Sequence, residues 1–164
     1  MRISIRGIPD KIDLAQIRSA AKWYAAYLMG TKMSKEVSLL ISFKQDLKRD
    51  QSIWAECEWR DRPEYPRKFT ITLDAHCGMR STMLALAHEM VHVKQYATGE
   101  LHWPENPNLP TRWKGKIVRD DVIYWEHPWE IEAYGREYGL YVMWREYTKQ
   151  PKTEYKKVRD AKSR

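Results

Sequence analysis

The spacing of hydrophobic residues predicts three helices in this chain. Between Asp13 and Met29 apolar side chains return every three or four residues, the period of an amphipathic helix, and Gly30 is expected to end it. The same period returns from Met83 to Ala97, with Ser81 as the expected N-cap. A third periodic stretch begins at Pro128, a residue that suits the first turn of a helix, and continues to about Tyr147.

Short runs of β-forming residues predict three strands between the first two helices. The runs cover residues 37–43, 53–59 and 67–74, and polar or proline-containing turns separate them. This order predicts a small α+β domain with a short, mostly antiparallel sheet and a helix packed on one face. Residues 100–127 form a long connection that is expected to act as a flap, with a hairpin around Arg119-Asp120-Asp121.

The second helix carries the sequence His88-Glu89-Met90-Val91-His92, which is an HExxH pattern. Residues four apart lie one turn apart on the same helix face, so both imidazoles can bind one zinc ion. Glu89 can then reach a water molecule at the metal and act as a general base. The other faces of this helix are mostly apolar, which predicts a central position. Two satisfied core histidines in a chance motif are the alternative.

A catalytic zinc site needs a third protein ligand and leaves one position for water. The pattern HExxHxxGxxH is absent, because Gln95 and Thr98 occupy the positions of its Gly and third His. Glu130, in the first turn of the third helix, is the preferred third ligand. Ala133, one turn later, is small enough to let this helix approach the metal helix closely.

Four other residues stay open as the third ligand. Glu132 lies on nearly the opposite side of the helix from Glu130, where an ion pair with Arg136 would explain it. The other three candidates are His127, His102 and His76. Just before the third helix, Tyr124 and His127 are candidates for stabilising the oxyanion during hydrolysis.

HExxH followed by a later helix with Glu130-x-x-Ala133 resembles the gluzincin metallopeptidases, in several branches of which the first Glu of an ExxA segment binds zinc. The resemblance implies a zincin-like fold with zinc held by His88, His92 and Glu130. Tyr134 stands where these enzymes often have an Asp that bonds a zinc-bound histidine. The segments LAHEMVHVKQY, GEL, WKGK and PWEIEA are also similar to small uncharacterised metallopeptidases of bacteriophages and bacteria, over roughly residues 69–145.

Length and composition set the remaining expectations. Residues 1–147 are sufficient for one domain with a real core. Cys57 and Cys77 form no CxxC pair and are expected as separate buried thiols, with a disulfide as the alternative. The sequence shows neither a secretory signal nor a membrane-spanning run, so cytoplasmic residence is expected, within a bacterial host if the chain is phage-encoded.

Positive charge is concentrated at the C-terminus. In residues 148–164, seven Lys or Arg stand against two acidic residues, which gives this tail +5 of the total charge of +7. A disordered or frayed tail is expected, either merely solvated or in weak contact with nucleic acid or an acidic partner.

The predicted function is a zinc-dependent peptidase that hydrolyses peptide bonds through a metal-activated water, with Glu89 as general base and a peptide or protein as substrate. The alternative is a non-catalytic, zinc-stabilised binding module that uses the tail for nucleic acid or a protein. A third possibility combines both features in a protease that cuts a DNA-bound partner.

Overall fold

The structure is a computed structural model that describes residues 1–47, 53–62, 64–106 and 108–149. The strands of its main sheet are β1 Arg2–Arg6, β2 Ser38–Lys44, β3 Ala55–Trp59 and β4 Lys68–Asp74. They lie in the order β1-β2-β4-β3. The helices are α1 Leu14–Glu36, α2 Met79–Ala97 and α3 Pro128–Lys149. Helices and strands therefore combine as expected for an α+β domain, and residues 150–164 of the predicted tail lie outside the described residues.

Two of the three strand pairings in the main sheet are parallel. β2 pairs in parallel with both β1 and β4, and only β3 runs antiparallel to its neighbour β4. The expectation of a mostly antiparallel sheet is therefore wrong. The reason is the helical crossover α1 between β1 and β2, a connection typical of parallel strands. β1 itself has no counterpart among the predicted strands, although its five residues alternate between polar and apolar as in a half-buried strand.

The core lies between one face of this sheet and the three helices. Alternate side chains of β2 are buried, as the pleat of a strand requires, and they join one cluster with buried residues of β4 and all three helices. α2 contacts α1, α3 and the strands β3 and β4, so it occupies the predicted central position. No described helix is both long enough and apolar enough to cross a membrane.

Of the two predicted helix ends, the one at Gly30 is confirmed and the one at Ser81 is not. Gly30 has a non-helical backbone with φ 79°, so α1 consists of two helical stretches that meet at a kink there, and the second stretch ends at Glu36. α2 begins earlier than expected, with Gly78 rather than Ser81 as its N-cap. The Gly78 carbonyl accepts hydrogen bonds from the backbone N–H and the hydroxyl of Thr82, so the first helical bond is already formed before Ser81 and Ser81 lies inside the first turn.

The long connection after α2 contains a small second sheet. Its strands are β5 Leu101–His102, β6 Arg112–Trp113 and β7 Lys116–Ile117. The hairpin turns at Lys114 and Gly115, both with positive φ, so the expected hairpin around Arg119-Asp120-Asp121 is wrong. Tyr124–Glu126 then form a single 3₁₀ turn that leads into α3.

The two cysteines are not joined. Cys77 is buried and Cys57 is half-buried, and neither forms a disulfide. Burial raises the pKa of the Cys57 thiol well above its ordinary value, and the nearby Glu89 carboxylate acts in the same direction. The disulfide alternative is therefore excluded, and the Cys57 thiol stays protonated.

Candidate metal centre

His88, His92 and Glu130 converge at one point between α2 and α3. The Nε2 atoms of the two histidines are 3.2 Å apart. The carboxylate oxygens of Glu130 lie 3.4 Å from His88 Nε2 and 3.5 Å from His92 Nε2. All three side chains are buried. Among the described residues, this is the one group of three or more His, Cys, Asp or Glu whose potential ligand atoms lie within 4.8 Å of one another, and it could hold a metal ion.

Hydrogen bonds on the far side of each ring determine which nitrogen carries a proton. His88 Nδ1 lies 2.9 Å from a carboxylate oxygen of Glu137, and His92 Nδ1 lies 2.8 Å from Oε1 of Gln95. Both of these oxygens only accept, so each Nδ1 carries a hydrogen. In its neutral form each ring then presents an Nε2 lone pair toward Glu130. Three acceptors that face one another in this way need a cation between them.

The electrostatics of the group favour positive charge at the same point. Burial lowers the pKa of His88, but hydrogen bonds to Glu130 and Glu137 outweigh burial and raise it to about 9. Burial also lowers the pKa of His92, but its hydrogen bond to Glu130 and the negative charges of Glu89 and Glu130 together raise it. Burial acts to raise the pKa of Glu130, yet its bonds to the two histidines hold it far below the usual range. The site therefore stabilises a cation beside an ionised carboxylate.

Glu132 lies outside the His88–His92–Glu130 group and is bonded to other residues. Its Oε1 accepts from Arg136 Nε at 3.1 Å, which is the predicted i,i+4 pair, and from Lys94 Nζ at 3.1 Å. Its Oε2 accepts from Gln95 Nε2 at 3.0 Å. The Glu132 side chain is only 14% exposed, so the simple surface pair expected from sequence understates its contacts.

The three alternative histidine ligands lie outside the His88–His92–Glu130 group. The His127 ring stacks on Trp129 with 4.4 Å between ring centroids. His102 belongs to β5, and His76 pairs with Asp46 at 3.2 Å. Of the candidates for the third ligand, Glu130 is thus the one that the fold brings to the HExxH histidines.

Sequence reasoning missed the two residues that bond the histidine Nδ1 atoms. Tyr134, at the position of the gluzincin Asp, instead packs the edge of its ring against His88, with centroids 4.5 Å apart. Glu137, about one turn further along α3, supplies the carboxylate to His88. The available signal was the position of Glu137 on the same helix face as Glu130. Gln95, three residues after His92, could have been found by the same spacing.

A cleft of about 580 Å³ opens beside His88. This volume lies within the usual range for ligand sites in proteins. Trp54 and Ala55 border it at the start of β3, and Tyr134 borders it from α3. Glu89, the predicted general base, also lines the cleft although it is largely buried. Burial raises the pKa of Glu89, while His92 and His88 oppose that shift.

The two predicted oxyanion stabilisers occupy different surroundings. Tyr124 lines the cleft, and its hydroxyl donates to Glu130 Oε2 at 2.8 Å. Burial and the bond to Glu130 raise the pKa of Tyr124 far above its ordinary value, so the hydroxyl keeps its proton. His127 packs on Trp129 and is not among the described residues that line the cleft. The structure therefore favours Tyr124 for any role at the cleft.

Comparison of the chain with protein-family models, with curated proteins and with solved structures finds no match in any of the three. The resemblance to gluzincins consequently rests on the sequence motifs alone. Function has to be inferred from the geometry and chemistry of the site.

Proposed function

We propose that this protein is a zinc-dependent peptidase. The observation that carries the proposal is the spacing of the candidate ligand atoms of His88, His92 and Glu130. Zinc binds nitrogen and oxygen ligands tetrahedrally at about 2.0–2.2 Å, so neighbouring ligand atoms lie about 3.3–3.6 Å apart. The two Nε2 atoms are 3.2 Å apart, and Glu130 Oε2 and Oε1 lie 3.4 Å from His88 Nε2 and 3.5 Å from His92 Nε2, so all three distances are close to this spacing. Two histidines and one glutamate are also a known ligand set of catalytic zinc.

The cleft supports a catalytic rather than a structural zinc site. Structural sites are closed by four protein ligands, whereas catalytic sites keep one position open. The described residues supply three ligands, and one of them, His88, borders the cleft. A substrate in the cleft would therefore have access to the open position.

The residues around the cleft have the chemistry that peptide hydrolysis needs. A zinc ion at this point would act as a Lewis acid and lower the pKa of a water molecule to about 7. Glu89 would take the proton from the attacking water and transfer it to the leaving amine as the peptide C–N bond breaks. Tyr124, which keeps its proton, would donate a hydrogen bond to the carbonyl oxygen of the substrate after releasing Glu130.

The position of β3 supports an extended peptide as substrate. β3 is the last strand of the sheet, and residues at its start border the cleft. An edge strand can bind an extended segment through backbone hydrogen bonds. Trp54 and Trp125 are exposed at the cleft, and no Lys or Arg is among the described residues that line it. Peptides with apolar side chains should therefore bind better than acidic ones.

The variant Glu89→Gln tests this proposal. It keeps the size of the side chain but removes the base, so it should bind one zinc per chain like the wild type. It should lose roughly 10²–10⁴-fold in hydrolysis of an unstructured-protein or peptide mixture. Glu146→Gln, an exposed change on α3, is the matched control and should cleave normally.

Two outcomes would contradict the proposal. Equal cleavage by wild type and Glu89→Gln would favour the zinc-stabilised binding module. If the reconstituted protein binds no stoichiometric zinc, the proposed zinc site itself is wrong.

A further inference from the structure

We propose that Gln95 and Glu132 are positioning residues that hold His92 in the tautomer whose Nε2 can bind a metal. The proposal rests on the proposed zinc site and adds to it a chain of contacts from His92 into α3. Gln95 lies three residues after His92 on α2 and is completely buried. Its amide contacts His92 on one side and α3 on the other.

The orientation of the Gln95 amide follows from its two acceptors on α3. Gln95 Nε2 lies 3.0 Å from the backbone oxygen of Trp129 and 3.0 Å from Glu132 Oε2. Both atoms only accept hydrogen bonds, so they use the two N–H groups of the amide. The reversed amide would place its oxygen against two other oxygens. Oε1 is therefore the atom that faces His92.

This amide orientation in turn determines the tautomer of His92. Gln95 Oε1 lies 2.8 Å from His92 Nδ1 and can only accept, so the hydrogen must be on Nδ1. A neutral imidazole without such a partner can carry its hydrogen on either nitrogen, and the Nε2–H form cannot bind a metal through Nε2. The amide thus keeps the Nε2 lone pair directed at the site shared with Glu130.

Glu132 is itself held in place by cations. Its Oε1 accepts from Lys94 and Arg136, and its Oε2 accepts from the Gln95 amide at 3.0 Å and from Lys94 at 3.4 Å. Lys94 is largely buried and also binds Glu100 at 2.7 Å. His88 differs, because its Nδ1 is held directly by the carboxylate of Glu137. Outer partners of metal-binding histidines typically contribute about 10–100-fold in metal affinity.

Two substitutions of Gln95 separate positioning of His92 from simple packing. Gln95→Met keeps the length of the side chain but removes the acceptor, so the zinc dissociation constant should rise by about 10–100-fold. Gln95→Glu keeps an acceptor facing Nδ1, and its carboxyl can share a proton with Glu132. It should therefore bind zinc more tightly than Gln95→Met. Packing alone predicts the reverse order, because Met introduces no buried charge.

A second pair of variants tests Glu132 without altering Gln95. Glu132→Gln and Glu100→Gln each remove a negative charge from Lys94, but of these two carboxylates only that of Glu132 bonds Gln95. Glu132→Gln should weaken zinc binding about tenfold, whereas Glu100→Gln should leave it nearly unchanged. The dissociation constants are measured by competition with a chromophoric chelator, and urea denaturation reports folding separately.

A readout in metal-free protein separates this proposal from the zinc proposal. NMR should show a slowly exchanging Nδ1 proton on His92, and this proton should exchange faster in Gln95→Met. If the wild type binds no zinc, the proposed function fails while the proton still reports on the hydrogen bond. The positioning proposal is overturned if Gln95→Met keeps both the protected proton and wild-type zinc affinity, or if Glu132→Gln and Glu100→Gln have equal effects on zinc.

Discussion

Glu130 and Glu132 lie two residues apart at the start of α3, and both are largely buried, yet their surroundings differ completely. Glu130 faces two histidine Nε2 atoms, which are acceptors when the rings are neutral. Glu132 faces three side-chain donors, from Lys94, Gln95 and Arg136. Because successive helix residues are rotated by about 100°, two positions are enough to reach the opposite face.

The comparison indicates that the bonded partners of a carboxylate, rather than its burial, distinguish a candidate metal ligand from a structural carboxylate. Glu132 is already bonded to two cations and an amide, so it has little to offer a metal. With both histidine rings neutral, Glu130 has the Tyr124 hydroxyl as a donor, and a metal ion would supply the positive charge that Lys94 and Arg136 supply to Glu132. The same reasoning applies to any HExxH helix that packs against an acidic helix.

The largest expected effect is the loss of metal binding in Glu130→Gln. The amide keeps the size of the side chain but removes the anionic ligand, so zinc affinity should fall by more than 100-fold, or about 2.7 kcal/mol. The identical change two residues later, Glu132→Gln, is the control and should cost only about tenfold. Chelator competition measures both. Equal losses of zinc affinity would contradict the assignment of Glu130 as a zinc ligand and of Glu132 as a residue that only positions His92.

Glu132 rather than Glu130 is expected to matter more when the free energy of unfolding of metal-free protein is measured instead of zinc affinity. Glu132→Ala removes an acceptor from the largely buried Lys94 and from the fully buried Gln95. The free energy of unfolding should therefore fall by about 1–3 kcal/mol in urea denaturation with excess chelator. Arg136→Ala, which removes only the exposed partner of Glu132, should cost about 0.5 kcal/mol or less. Similar losses in the two variants would mean that Glu132 is an ordinary surface pair.

Local patterns in the sequence were sufficient to find the three residues that could hold a metal ion. The spacing of His88 and His92 is a property of one helix, and the small Ala133 favoured Glu130, which is the carboxylate that the fold brings to the two histidines. Ala133 is completely buried, as this reasoning requires. The helix and strand segments were also found, since each depends on the periodicity of neighbouring residues.

Features that depend on contacts between distant segments were not found. The parallel pairing of β2 with β1 and β4 follows from chain crossovers that no local pattern specifies. The partners Gln95 and Glu137 become visible only when the packing of α2 against α3 is known. The choice between Tyr124 and His127 depended on the 3₁₀ turn before α3, which directs the Tyr124 hydroxyl to Glu130.

The smallest expected effect concerns the helix backbone that carries both carboxylates. Gly135 is exposed in the interior of α3, and an added Cβ would have no neighbour within 4 Å. Gly135→Ala should therefore stabilise the protein by about 0.4–1 kcal/mol, which raises the melting temperature by roughly 1–4 °C. Gly139→Ala, one turn later and also without a neighbour for its Cβ, is the matched control.

The zinc affinity of the two glycine variants shows whether the different roles of Glu130 and Glu132 depend on flexibility of the α3 backbone. Both contact sets are made by side chains of a helix that is continuous from Pro128 to Lys149. Stiffening it at Gly135 should leave the zinc dissociation constant unchanged, as should Gly139→Ala. A weaker zinc site in Gly135→Ala alone would mean that α3 must bend locally to bring Glu130 to the histidines, so that its ligand geometry is attained only when metal binds.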